Sequence, residues 1–176
     1  MEVNKIILLG YMGSGKSTVG NALAKALGYS FLDLDDVIED VEGKSIAEIF
    51  SSHDELYFRA LERKCLEDTM AQSLPIVLSL GGGTPCYYNT MDYLLAFKQS
   101  SSFYLKASVD TLGNRLFKEK EHRPLIAHPS HADEANEFIG KHLFERSFFY
   151  EKALHQILTD GKSVDQIILE IKAKLT

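Results

Sequence analysis

Only two cysteines, Cys65 and Cys86, occur in 176 residues, and they form neither a CxxC pair nor a disulfide framework. Such a chain suits a reducing compartment, so a cytoplasmic protein is expected. Long hydrophobic runs are missing too. Met1-Glu2-Val3-Asn4-Lys5 leads into an apolar run of only four residues, Ile6 to Leu9. That is too short for a secretory leader, and a membrane span needs about 20 such residues. Positive charge is in deficit: 19 Lys and Arg against 25 Asp and Glu leave a net charge of −6. Binding nucleic acid through a broad basic face is thereby excluded, although a few well-placed donors can still hold a small anion. No repeat, low-complexity tract or linker divides the chain, which reads as one domain with a sizeable core.

Three short apolar runs have the character of buried parallel strands: Ile6 to Leu9, Ile76 to Leu80 and Ser102 to Leu105. Phe31-Leu32-Asp33 and His155 to Thr159 are weaker strand candidates. Helical periodicity covers 17–27, 54–72, 88–98, 108–120, 134–152 and 163–175. Alternation of this kind predicts the α/β class, a parallel sheet covered by helices on both faces. From Lys118 to Asp133 the pattern gives way to four consecutive charges, then Pro124, Pro129 and three histidines. A long polar segment of this kind is a lid or plain disorder.

Directly after the first strand comes Gly10-Tyr11-Met12-Gly13-Ser14-Gly15-Lys16-Ser17-Thr18, a match to G-x-x-x-x-G-K-[ST]. The glycines let successive N–H groups converge on one anion, and the following helix adds the positive end of its dipole. Lys16 can reach the β and γ phosphates, and the Ser17 hydroxyl can ligate Mg²⁺. An Asn-Lys-x-Asp base-reading motif is absent, which excludes a GTPase. The strand Ile76 to Leu80 ends in Gly81-Gly82-Gly83 with no acid to serve the metal.

Asp33-Leu34-Asp35-Asp36 supplies the missing carboxylates. In an extended chain Asp33 and Asp35 share a direction, and at the carboxyl end of a parallel strand they face the ligand crevice. One can hold the metal, and the other can accept from a substrate hydroxyl. Asp36-Val37-Ile38-Glu39 has the form of a capping box.

Arginine is the scarcer base, with Arg59, Arg63, Arg115, Arg123 and Arg146 against fourteen lysines. Its planar fork matches carboxylate and phosphate. Glu55 and Glu62 flank Arg59 at helical spacing, either to aim it or as simple surface pairs. Arg63 has no feature beyond its helix position and reads as surface. His128-x-x-His131 lacks a third spaced ligand and reads as solvated loop. The aromatics at 103–104 and 148–150 read as core.

Together these blocks resemble the shikimate kinase family along nearly the whole chain. The resemblance rests on the loop Gly10 to Thr18 and on Asp33-Leu34-Asp35 followed by Ser45-Ile46-Ala47-Glu48. It continues in Glu55-x-x-Phe58-Arg59-x-x-Glu62, Gly81-Gly82-Gly83, Arg123-Pro124-Leu125 and Arg146-x-x-x-Tyr150. It implies a three-layer P-loop kinase fold, like the nucleoside monophosphate kinases, with a five-stranded parallel sheet in the order 2-3-1-4-5. A substrate-binding subdomain at about 34–63 and a lid at about 113–132 are implied within the single domain 1–176.

The implied activity is transfer of the γ-phosphoryl of ATP to the 3-hydroxyl of shikimate, giving shikimate 3-phosphate and ADP on the way to chorismate and aromatic amino acids. By position, Asp35, Arg59, Gly82 and Arg146 match shikimate contacts, with Gly81 and Gly83 beside them. Gly13, Ser14, Gly15, Lys16, Ser17 and Thr18 match the ATP phosphate site, Arg123 a lid arginine, and Arg115 an arginine stacked on adenine. Ser17 and Asp33 match the Mg²⁺ partners, Asp33 through water. Lys16, Asp35 and Arg123 are the implied catalytic residues. Shikimate and ATP are then the partners, with neither nucleic acid nor membrane, and a monomer is expected. Two departures from the family pattern are Asp54, where glycine is common, and Phe148, where proline is common. Two rivals stand beside this reading: a gluconate or nucleoside monophosphate kinase on the same scaffold, and a non-catalytic nucleotide-binding relative.

Overall fold

The computed structural model describes residues 3–118 and 132–175. Five strands, β1 (Lys5–Leu9), β2 (Ser30–Asp33), β3 (Ile76–Ser79), β4 (Ser100–Lys106) and β5 (His155–Leu158), pair in parallel in the order 2-3-1-4-5. β1 lies at the centre, and all five of its residues are buried, as are all four of β3. Successive side chains of a strand point to opposite faces. Ile7 and Leu9 therefore enter one core and Ile6 and Leu8 the other.

The second core is closed by α1 (Lys16–Leu27) and α8 (Val164–Leu175), through Val19, Leu23, Ile167 and Ile171. The first is closed by α2 (Leu34–Glu42), α3 (Ile46–Ser52), α4 (Glu55–Ala71), α5 (Thr90–Leu95), α6 (Val109–Lys118) and α7 (Ala132–Tyr150). Helices on both faces of a parallel sheet make the three-layer P-loop kinase architecture that the sequence implies. No described helix is long and apolar enough to cross a membrane.

Short polar contacts set where the helices start. Asp33 caps α2, its carboxylate accepting from the Asp35 N–H at 3.2 Å. The capping box expected at Asp36 does not form, because the chain turns helical at Leu34, two residues earlier. Ser45 and Glu48 form a reciprocal capping box on α3, and Asp54 caps α4 by accepting from Tyr57 N–H at 2.9 Å. The helix expected over 88–98 shrinks to α5, since Tyr88 and Asn89 take left-handed φ values of +50° and +52°. Phe148, read as core, is 68% exposed, whereas Tyr150 is fully buried. Of the lid expected at about 113–132, residues 113–118 belong to α6, while 119–131, with Arg123, His122, His128 and His131, lie outside the described residues.

Candidate active site

At the carboxyl ends of β1, β2 and β3 a cleft of about 530 Å³ opens, where open parallel sheets bind ligands. Its floor is the phosphate loop, from Met12 to Ser17. Gly15, at the N-terminus of α1, has φ of +93°, a conformation that L side chains rarely adopt. Lys16 folds back over the loop, its Nζ donating to the carbonyls of Gly10 at 2.9 Å and Tyr11 at 3.1 Å. Gly13, Ser14, Thr18 and Arg115 line the same cleft, and Arg115 Nη1 donates to the Gly13 carbonyl at 3.0 Å. Thr159, Lys162, Val164 and Ile167 also line the cleft, from a stretch that carries no motif and that sequence reasoning missed.

Ser17 and Asp33 stand side by side: the hydroxyl donates to Asp33 Oδ2 at 2.9 Å. Asp35 lines the same wall. The strand alternation argued from sequence does not bring the two acids together, because the strand ends at Asp33 and Asp35 belongs to the first turn of α2. Both still face the cleft. Burial, then the charges of Asp33 and Glu62, push the Asp35 carboxyl up to about 6, with Lys16 opposing. An acid poised near neutrality in a cleft is suited to exchanging a proton with a ligand.

The glycine run closes the third wall, and each glycine faces a different functional group. A Cβ on Gly81 would lie 2.9 Å from Asp35 Oδ1, and one on Gly83 would lie 2.7 Å from Arg59 Nη2. At Gly82 the nearest atoms would be Arg146 Nη1 and the Met12 backbone nitrogen, both at 3.7 Å. Gly82 therefore sits between the phosphate loop and Arg146.

Arg59 is aimed rather than solvated. Its Nη1 donates to Glu62 Oε2 at 2.8 Å and its Nε to Glu55 Oε1 at 3.4 Å. Glu62 is only 3% exposed, and its other oxygen accepts from Thr84 Oγ1 at 2.6 Å. This is a buried, fully engaged carboxylate, not the surface pair that spacing alone allowed. Tyr87 stacks on the guanidinium, with Arg59 Cζ 4.1 Å from the ring centroid. Arg146 projects from α7 over the buried Tyr11 ring, 5.7 Å from its centroid. Arg63, read as surface, instead stacks on Tyr93 at 4.2 Å and donates to the Tyr88 carbonyl at 3.2 Å. The helical spacing of Arg59, Glu62 and Arg63 was the only signal that could have linked them.

The structure thus brings a phosphate loop, two carboxylates, three glycines and two arginines to the carboxyl end of the sheet. Residues 12–176 match the family described as Shikimate kinase. The shikimate kinase of Flavobacterium johnsoniae is 47% identical over 169 residues, which cover 96% of this chain and 97% of that protein. Among solved structures, shikimate kinase from Bacteroides thetaiotaomicron superposes with a TM-score of 0.87 at 32% identity, over 97% of each chain. Shikimate kinase from Acinetobacter baumannii, in complex with shikimate, gives 0.83 at 29% identity, over 98% of this chain and 93% of that one. A P-loop kinase sheet whose carboxyl end carries Asp33, Asp35, Gly81 and Gly82 in one cleft, with Arg59 against Gly83 beside it, together with these relatives across the full length, means that the chain belongs to the shikimate kinase family.

Proposed function

We infer that the chain catalyses ATP-dependent phosphorylation of shikimate at its 3-hydroxyl, releasing shikimate 3-phosphate and ADP. The observation that carries this reading is one cleft lined by Lys16, Asp35 and Gly82, with Arg59 next to it against Gly83. Asp33-Leu34-Asp35 together with Arg59 and the triple glycine speaks against a gluconate or nucleoside monophosphate kinase, and the intact Lys16 and Ser17 argue against a non-catalytic binder.

The backbone N–H groups of Gly13 to Thr18 hold the ATP phosphates at the start of α1, where the helix dipole favours negative charge. Arg115 and the apolar Val164 and Ile167 form the end of the cleft that takes the base. Ser17 Oγ and the Asp33 carboxylate, 2.9 Å apart, are oxygen donors of the kind a hard cation prefers, and they would hold Mg²⁺, Asp33 through water. Bound there, the ion neutralises phosphate charge.

Arg59 and Arg146 take the shikimate carboxylate, each as a planar cation. Asp35 accepts the hydrogen of the reacting hydroxyl, and its raised pKa suits it to that exchange. Gly82 lets the backbone approach the acceptor. Lys16 leaves the carbonyls of Gly10 and Tyr11 to follow the phosphoryl oxygens as their charge shifts. Arg123, outside the described residues, is assigned to the same charge on the family resemblance alone. The substrate subdomain is assigned to 34–63, which comprises α2, α3 and the start of α4.

The ATP requirement and the two unpaired thiols, Cys65 and Cys86, support work in the cytoplasm. The test is ADP release from Mg²⁺-ATP across shikimate, gluconate and nucleoside monophosphates. Turnover with shikimate alone is expected; preference for either of the other classes overturns the reading.

A further inference from the structure

Tyr87 engages Arg59 twice. Its ring stacks on the guanidinium at 4.1 Å, and its hydroxyl donates to Glu55 Oε1 at 2.8 Å. That same oxygen accepts from Arg59 Nε. Stacking occupies the face of a guanidinium and leaves its in-plane N–H groups to carboxylates. Glu55 takes the Nε donor and Glu62 an Nη1 donor, and Gly83 leaves room for Nη2. The tyrosine is 38% exposed, so core packing does not account for its place.

The turn that presents Tyr87 is an uncommon one. Tyr88 and Asn89 both hold left-handed φ values, and for a bulky residue such as Tyr88 this is an outlier. Such a conformation persists only where surrounding contacts over-determine it. Here Arg63, one helical turn along α4 from Arg59, donates to the Tyr88 carbonyl at 3.2 Å. Thr90 closes on the Tyr87 carbonyl with its N–H at 3.0 Å and its hydroxyl at 2.7 Å. One helix thus supplies both the arginine to be aimed and the arginine that holds the turn next to its aromatic partner.

We propose that Tyr87 is a positioning residue for acceptor recognition: its ring and hydroxyl together fix the Arg59 fork before the substrate arrives, and so set the preference for acceptors that carry a carboxylate. The proposal rests on the reading of Arg59 as the carboxylate's partner. It assigns Tyr87 an effect on acceptor KM and none on the phosphoryl-transfer step.

The experiment compares steady-state kinetics of the wild type, Tyr87→Phe, Tyr87→Leu and Arg59→Lys with shikimate and with its neutral methyl ester. Tyr87→Leu is expected to raise the shikimate KM about tenfold, the scale of a lost cation–π contact. Its kcat and ATP KM should stay within about twofold of wild type, and its preference for acid over ester should fall by the same tenfold. Tyr87→Phe keeps the face and loses the hydroxyl, so a rise of about threefold is expected. An equal rise for ester and acid, or an unchanged shikimate KM, overturns the proposal alone. Should Tyr87→Leu not fold, Tyr87→Phe decides on the same two criteria. A wild type that does not distinguish acid from ester, or an Arg59→Lys variant with unchanged shikimate KM, overturns the reading of Arg59 and the proposal with it.

Discussion

The Tyr150 hydroxyl donates to the carbonyl of Gly82 at 2.6 Å, tying the last turn of α7 to the middle of the glycine run. Arg146 lies one turn earlier on the same helix, so a single element carries the arginine and fixes the peptide it faces. Tyr150 is fully buried, and burial raises its hydroxyl pKa, which keeps it a donor. Tyr150→Phe leaves that carbonyl without its partner and frees the Gly82 peptide to rotate. A loss of about 1–3 kcal/mol in denaturant unfolding is expected, together with a several-fold rise in shikimate KM. An unchanged KM would show that the bond serves the fold alone.

Asp35 predicts opposite responses of activity and stability. Below a pKa of about 6 the carboxyl is protonated and cannot accept from the substrate hydroxyl, so kcat/KM should fall as pH drops through 6. Its folded pKa is raised by burial and then by Asp33 and Glu62, so the favourable contribution of the protonated form is complete below the unfolded value and lost as pH rises through 6. Asp35→Asn should therefore be inactive yet more stable than wild type at pH 7.5, by roughly 1–3 kcal/mol. The gap should close toward pH 4. Thermal melts at both pH values check it.

Gly83→Ala should separate folding from recognition. Gly83 has φ of −89°, which alanine accepts, so the backbone is no obstacle. The added Cβ meets only the tip of Arg59, at 2.7 Å from Nη2, and a long side chain can swing aside. The melting temperature should fall only by what a loosened bond to the buried Glu62 costs, while shikimate KM rises about 10- to 100-fold, as expected for a misplaced binding group. A shift of ATP KM to match would contradict it.

Two lysines bracket β1 and should behave oppositely. Lys5 is 2% exposed, and its Nζ donates to the carbonyls of Gln72 at 2.6 Å and Leu74 at 2.7 Å, pinning the loop before β3. Lys5→Met should lower stability by about 1.5–3 kcal/mol and leave kinetic constants alone. Lys16→Ala should leave the unfolding curve nearly unchanged, since backbone and glycines build the loop, and lower kcat by about 10²- to 10³-fold. A folded Lys16→Ala enzyme with near wild-type kcat would remove Lys16 from the chemistry.

What the sequence determined by itself is local. The apolar runs at 6–9, 76–80 and 102–105 became β1, β3 and β4 because a continuous run of that length is stable only inside a covered sheet. The phosphate loop was legible because its glycines and its position between strand and helix sit within nine consecutive residues. Tertiary structure decided whatever depends on a partner far along the chain. Helical spacing could not tell that Glu62 is buried against Thr84, or that Arg63 is turned inward on Tyr93 and the Tyr88 carbonyl. Asp33 and Asp35 converge because a helix starts between them, not because a strand continues. The three glycines read alike in sequence, yet packing sets one against Asp35, one between Arg146 and the phosphate loop, and one against Arg59. A glycine's role is the space it leaves, and only the folded chain shows which side chain uses that space.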